Sequence, residues 1–187
     1  MRLLLHICCA PCAIYPIKAA LKDGYTEVDG FFYNPNIQPK KEHDKRAMEA
    51  KKYFDNENLK LEFNEYAPDN YFSAIEDFDH VSKRCPTCWE MRLNRAFTYA
   101  CQRKYDAVTT TLLVSPYQNH DILKRLGEEL EDKSGMKFYY RDFRVGFKEA
   151  HQQARDKGIY CQNYCGCVFS MIEREQARLG KKKKKNG

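Results

Sequence analysis

The chain has 187 residues, 43% of them hydrophobic and 31% charged. That is the composition of a folded globular domain with enough chain for a real core, and it excludes an intrinsically disordered segment. No apolar run approaches the roughly 20 residues that span a bilayer, and the N-terminal run is too short for a signal peptide, so a reducing cytoplasm is expected. Nine cysteines in that setting point to metal binding or redox chemistry and away from a disulfide framework. The net charge is +6, of which Lys181 to Lys185 supply five, leaving about +1 (6 − 5 = 1) elsewhere. The pattern predicts one α/β domain over residues 1–180 and a basic tail over 181–187, of a kind usually disordered and weakly attractive to polyanions.

Taken in order, Leu3 to Ile7 is an apolar run that predicts a first strand, ending in Cys8-Cys9-Ala10-Pro11-Cys12. Pro16 to Lys22 predicts a helix closed by Gly24. Glu27 to Tyr33 predicts a strand, stopped by the turn Asn34-Pro35-Asn36. Lys40 to Asn56 is a charged helix with Ala47, Ala50, Tyr53 and Phe54 as its apolar stripe, and Leu59, Leu61 and Phe63 alternate as a strand. Tyr66 to Arg84 is ambiguous: Tyr71, Phe72, Ile75, Phe78 and Val81 suit a short helix or a lid. Cys85-Pro86-Thr87-Cys88 is expected to open a helix whose buried stripe is Trp89, Leu93, Ala96, Phe97 and Ala100, with Cys101 as a core thiol.

Ala107 to Val114 predicts a strand, followed by Ser115 to His120 at its carboxyl end. A helix carrying Ile122, Leu123, Leu126 and Leu130 then runs to Gly135. Lys137 to Phe143 predicts a strand, Phe147 to Lys157 a helix, and Val168 to Leu179 a last helix. Strands alternating with helices imply a parallel sheet with right-handed crossovers, in the Rossmann-like order 3-2-1-4-5.

Three cysteine clusters carry the chemistry. Cys85-x-x-Cys88 at a helix start places two sulfurs where they can converge on one metal and where the helix dipole favours thiolates. With Cys8 and Cys9 they make a four-thiolate set, suited to zinc or to an iron–sulfur cluster. Ligands drawn from a sheet edge and a helix favour the cluster over a zinc knuckle. Cys165-Gly166-Cys167 can close only a small strained ring, which marks a labile redox pair, with metal ligation beside Cys12 or Cys161 as the alternative.

Leu5-His6-Ile7-Cys8-Cys9-Ala10-Pro11-Cys12, Cys85-Pro86-Thr87-Cys88 with Arg92-Leu93, and Tyr164-Cys165-Gly166-Cys167 with Ser170 together resemble one family over essentially the whole chain. It is that of the cluster-containing epoxyqueuosine reductases of tRNA modification, the type unrelated to the corrinoid-dependent enzymes. The resemblance implies a fold like that of the adenine-nucleotide α-hydrolases and a 4Fe-4S cluster on Cys8, Cys9, Cys85 and Cys88. It implies a redox-active pair, Cys165 and Cys167, and a tRNA partner bearing epoxyqueuosine in its anticodon loop. The electron donor is not identified by the sequence. The phosphate loop of the nucleotide hydrolases is replaced here by Cys-Cys-Ala-Pro-Cys, so no ATP chemistry is expected. Cys12 is a candidate ligand for a second metal, an additional iron, beside the cluster.

Epoxide to alkene is a two-electron reduction with loss of oxygen as water, and a dithiol can supply both electrons. His6, His120 and a bound water are candidate proton donors. Tyr33, Tyr117 and Tyr164 are candidates for stacking on a base, and Lys83, Arg84 and Arg92 for holding phosphates. Two other classes fit the same residues: a zinc- or cluster-binding RNA protein without catalysis, and a thiol–disulfide oxidoreductase acting on proteins.

Overall fold

Leu3, Leu4, Leu5 and Ile7 have no exposed surface, and they lie in the strand around which the sheet is built. The structure, a computed structural model, describes residues 1–76 and 80–185. Strand β1 (Arg2–Ile7) pairs in parallel with β2 (Glu27–Phe32) on one side and with β4 (Ala107–Thr110) on the other. Strands β3 (Leu61–Phe63) and β5 (Lys137–Phe138) form the edges, in the order β3-β2-β1-β4-β5. This is the order expected from the sequence.

Side chains alternate across a strand, so β1 feeds two cores. Leu4 packs with Leu93, Phe97, Leu123 and Leu126, from α4 (Val81–Gln102) and α5 (His120–Ser134). Leu3, Leu5 and Ile7 pack with Ala13, Ile17, Phe54 and Ala150, from α1 (Ala10–Lys22), α2 (Lys40–Asn56) and α6 (Phe147–Asp156). A parallel sheet covered on both faces needs aliphatic residues on both sides of its central strand, which is why β1 is a continuous run.

The boundaries that differ from expectation each have a local cause. Helix α1 begins at Ala10 and not at Pro16; Pro11 occupies its first turn, where a missing N–H is harmless, and Pro16 is carried inside. Helix α4 begins at Val81, capped by the His80 side chain accepting from the Ser82 N–H, so Cys85 to Cys88 lie within the helix. The dipole effect fades beyond the first turn and no longer explains a thiolate at Cys88. Cys101 is exposed and is not a core thiol; it follows Ala100, the end of the buried stripe, and a further ~100° of helix rotation turns it to solvent.

Strand β4 stops at Thr110, whose hydroxyl accepts from the Leu112 N–H and starts a 3-10 turn over Thr111–Val114. Strand β5 is shorter than expected because the Asp142 side chain caps a second such turn, Phe143–Gly146. The ambiguous stretch resolves into α3 (Pro68–Ala74) and the start of α4, while Phe78 lies outside the described residues. Helix α7 (Val168–Lys185) continues through the lysine run expected to be disordered. Lysine is a good helix former, and its charge suits a helix C-terminus.

Gly127 of α5 is so close to the Phe138 ring that a Cβ there would overlap it. Gly127→Ala is therefore expected to destabilise the fold by about 1–3 kcal/mol, read as a lower urea midpoint. An unchanged midpoint means that Phe138 moves aside at no cost.

Candidate thiol site

Ligands of open parallel sheets bind beyond the carboxyl ends of the strands, where the strand order reverses. Cys8 and Cys9 follow β1 at that position, and Cys12 stands on the first turn of α1. The sulfurs of Cys8, Cys9 and Cys12 lie within 4.8 Å of one another, a group that could hold a metal ion. Thr111 donates its hydroxyl to Cys8 Sγ at 3.4 Å and accepts the Cys8 N–H at 3.1 Å. Gln162 donates its side-chain amide to Cys9 Sγ at 2.8 Å. Hydrogen bonds from Cys12 and Cys9, aided by Thr111 and the Arg92 charge, hold the Cys8 thiol well below its ordinary pKa. The bond to Cys8 pushes Cys12 up, and burial pushes Cys9 up. The three thiols therefore favour a single thiolate, on Cys8.

A second group of thiols adjoins the first. Cys88 and Cys167 pack with Tyr71 and Ile75, and Cys85 is half-buried against the larger core. Burial pushes Cys85 up to about 11, with Cys165 and Cys167 acting in the same direction. Burial likewise pushes Cys88 up to about 12, against the nearby Arg92 charge. Cys165 lies between the two groups: it feels Arg92, Cys167 and Cys8, and the protein around it raises its pKa although its surface opens to solvent. Its sulfur accepts from Gln118 Nε2 at 3.8 Å. Cys161, considered as a metal ligand, instead donates to the Ile159 carbonyl at 3.6 Å. All nine cysteines are free.

The loop carrying Cys165 and Cys167 is held from the other side of the sheet. Arg46 of α2 is 1% exposed; it donates to the carbonyls of Cys165 at 2.9 Å and Tyr164 at 3.2 Å, and to Glu42 Oε1 at 2.7 Å. The Gln38 N–H binds the Gly166 carbonyl at 2.8 Å, and Tyr164 Oη donates to the Gln38 carbonyl at 2.6 Å. Gly166 has φ +138°, and a Cβ there would stand 2.9 Å from Ile37. The turn after β2 is thus the socket for the cysteine loop. Arg46 lies four and seven residues before Ala50 and Tyr53, on the buried face of α2, and that spacing was the signal in the sequence that could have found it.

Above the thiols is a cavity of about 970 Å³. Cys8, Cys12, Arg92 and Cys165 line its inner part, and Tyr117, Lys148, Arg155, Tyr164 and Arg174 lie along its walls. Tyr117 is 87% exposed, as a base-stacking residue needs. Tyr164 also lines the cavity, although its hydroxyl is bound, whereas Tyr33 is buried in the core and does not line it.

Of the candidate phosphate contacts, Lys83 is exposed but lies outside the cavity lining. Arg84 is buried, paired with Glu173 at 2.7 Å and stacked over Phe169. Arg92 is 1% exposed, too deep to reach an RNA backbone, and one of its terminal nitrogens has no partner.

The two candidate histidines lie outside the cavity lining. His6 donates Nε2–H to the Tyr33 carbonyl at 3.1 Å and accepts at Nδ1 from Thr110 at 2.9 Å, a tautomer dictated by the carbonyl. Burial, then the Arg92 charge, pushes its pKa down to about 4, so it is a neutral structural group. His120 Nδ1 stands 3.9 Å from Asp142. His151, which the sequence reading passed over, lines the cavity with a buried Nε2 that has no partner.

A parallel sheet with a thiol group at its reversal point, opening on a cavity with basic walls, defines a thiol-dependent α/β protein able to hold a metal ion. The family model described as "Epoxyqueuosine reductase QueH" matches residues 3–173. An epoxyqueuosine reductase QueH of Thermotoga maritima is 36% identical over 181 residues, covering 92% of each chain. One of Dehalococcoides mccartyi is 34% identical over 177 residues, covering 92% of this chain and 94% of that one. The chain belongs to the QueH epoxyqueuosine reductase family, a family of oxidoreductases. Among solved structures, a predicted subunit of a tRNA methyltransferase from Methanocaldococcus jannaschii is similar in fold, with a TM-score of 0.54 at 11% identity over 82% of this chain and 74% of that one. That likeness is one of fold alone, and the fold is the Rossmann-like parallel sheet expected from the sequence.

Arg46→Gln is expected to release the cysteine loop. Mass spectrometry of alkylated protein should show exposed Cys165 modified before buried Cys167 in the parent, and Cys167 modified at least tenfold faster in the variant. Equal Cys167 rates would mean that the loop is held by Gln38 alone.

Proposed function

We propose that this chain reduces epoxyqueuosine to queuosine in the anticodon loop of tRNA. The observation that carries the reading is that Cys8 and Cys12 of one thiol group, together with Cys165, line one cavity with basic walls, in a chain of this family. Cys165 and Cys167 are the proposed redox pair: two thiols become a disulfide, the epoxide becomes an alkene, and the oxygen leaves as water. Atoms and electrons balance, since the dithiol gives two electrons and two protons. Cys165 lines the cavity where the epoxide would lie, and Cys167 stands behind it in the apolar cluster with Cys88. An electron donor of the cell then restores the dithiol.

Cys8, Cys9, Cys85 and Cys88 are the proposed holders of a 4Fe-4S cluster, with Cys12 beside them for an additional iron. The donor chemistry fits: every candidate ligand is a thiol, Cys8 is already disposed to be a thiolate, and two buried guanidinium groups, Arg46 and Arg92, face the sulfurs. A bound cluster supplies single electrons and an iron that polarises oxygen. The chain's own residues orient and shield: Thr111 and Gln162 fix the Cys8 and Cys9 sulfurs, and Arg92 offsets negative charge beside Cys165. The lysine run beyond residue 180 is proposed to add only non-specific attraction to RNA. The protein is proposed to act in the cytoplasm; no helix among the described residues is long and apolar enough to cross a membrane.

Purified anaerobically, the protein is expected to contain iron and sulfide and to absorb broadly in the visible. Changing Cys8, Cys9, Cys85 or Cys88 to Ala should each remove most of that iron. Full iron in all four variants would sink the ligand set, and zinc without sulfide would favour the non-catalytic reading.

Cys165→Ser and Cys167→Ser should keep the iron but stop multiple turnover of epoxyqueuosine-bearing tRNA. Thiol counting after one turnover of the parent should find two fewer free thiols. An unchanged count, with iron lost from the serine variants, would make the pair ligands.

A further inference from the structure

Several cations on this surface are held by an acidic partner. Lys18 pairs with Glu149 at 3.1 Å, Arg141 with Asp23, and Lys157 with Glu57 at 2.7 Å. Lys148, Arg155 and Arg174 differ: all three are exposed, all three line the cavity, and none has a carboxylate within ion-pair distance among the described residues. Arg155 is bound only to the neutral Gln152, at 2.7 Å. The one carboxylate of the cavity lining, Glu149, is already engaged by Lys18 and by Gln153. Lys148 and Arg155 are two turns apart on α6, about 10 Å along the helix axis, and Arg174 faces the same opening from α7. Beside them Tyr117 stands on the loop after β4, 87% exposed, its ring edge-on to Phe147 at 6.4 Å.

Unpaired cations around an opening attract a polyanion, and an exposed aromatic among them offers a face to an unstacked base. Of the thiols that line the cavity, Cys12 is buried and Cys8 partly so, out of reach of a base paired in a helix but not of one projecting from a single-stranded loop. We infer that Lys148, Arg155, Arg174 and Tyr117 form the docking surface for a single-stranded RNA loop. The three cations take backbone phosphates, and the Tyr117 ring stacks on a base adjoining the one that enters the cavity. The inference rests on the proposed reading of an RNA substrate. It moves the phosphate contacts from Lys83, Arg84 and Arg92 to Lys148, Arg155 and Arg174 of the cavity lining, and it keeps Tyr117 alone of the tyrosines as a stacking platform.

The test measures the affinity of a synthetic anticodon stem-loop RNA for the full chain by fluorescence anisotropy across a salt series. Three phosphate contacts on single-stranded RNA contribute a slope of about 2 in log K against log salt, at roughly 0.7 each. Changing Lys148, Arg155 and Arg174 together to Ala should lower the slope by about that amount and weaken binding at least tenfold at low salt. Changing Lys51, Lys52 and Lys60 to Ala, the same loss of charge away from the cavity, should leave the slope unchanged. Tyr117→Ala should weaken binding more than Tyr117→Phe, because the phenyl ring still stacks.

Equal slope changes in the two triple variants would overturn the surface, as would no change in the first. Thiol count and thermal midpoint report whether the triple variant is folded; if it is not, the three single variants carry the test, each expected to lower the slope by about 0.7. If the parent protein neither binds the RNA nor turns over its epoxyqueuosine, the substrate reading fails. If the parent does both and only the variants behave as the parent, the docking surface alone is wrong.

Discussion

Two buried guanidinium groups set the terms for the thiol site. An uncompensated buried ion costs several kcal/mol, so each needs negative charge close by. Burial alone lowers the pKa of Arg46, yet Cys9 and Glu42 raise it overall. Burial works the same way on Arg92, and Cys88, Cys165 and Cys8 reverse it. Arg46 has a carboxylate partner, but the Arg92 side chain donates to the Cys88 carbonyl at 3.1 Å and leaves one nitrogen without a partner among the described residues. Arg92 keeps its charge beside these sulfurs and in turn helps to hold Cys8, the thiol that is pushed down, as a thiolate, the form in which sulfur binds metals and attacks bonds.

The sheet explains why those charges and sulfurs meet. Parallel strands bring every carboxyl end to one edge, and β1 lies at the centre of that edge. Cys8 and Cys9 leave β1 there, Thr111 arrives from β4, and the Asn34 side chain from the turn after β2 binds the Ile7 carbonyl at 2.8 Å. That last contact ties the socket of the cysteine loop directly to the strand that bears the first thiols. Residues more than 100 positions apart, such as Cys8 and Thr111, are thus placed by backbone register before any side chain is chosen.

The strand order and the two-sided core were legible because aliphatic runs and Gly stops have local causes. The proline signals misled where they were taken too literally. Pro16 and Pro86 each suit a first helical position, but Pro11 and His80 start those helices earlier. The thiol clusters were legible as chemistry, since cysteines at short spacing are rare without a task. How they partition was not: spacing cannot show that Cys12 completes a group with Cys8 and Cys9, or that Cys85 and Cys88 stand nearer to Cys165 and Cys167. Burial was the other blind spot. Arg46 and Arg92 stand at helical spacing from Ala50 and Ala96 in the buried stripes of α2 and α4, yet their charge suggested the surface; both are 1% exposed, while Tyr33 and Tyr117, alike as strand-end tyrosines, differ in having 7% and 87% of their surface exposed. Those outcomes depend on which helix lies across them, which is a property of the whole fold.

Cys165 occupies the one position from which both thiol groups are felt. On one side is Cys8, low in pKa and lining the cavity; on the other are Cys85 and Cys88, pushed toward the neutral thiol, and Cys167, packed in the apolar cluster. In the proposed reduction, that position is what would connect the buried thiols to a substrate in the cavity. A side chain in that role needs freedom to change partner, and Cys165 is exposed, with a 3.8 Å contact from Gln118 at its sulfur. Its backbone is the opposite, pinned by Arg46 through the carbonyl. A fixed backbone with a free sulfur is the arrangement that lets one thiol alternate between two neighbours without moving the loop that carries it.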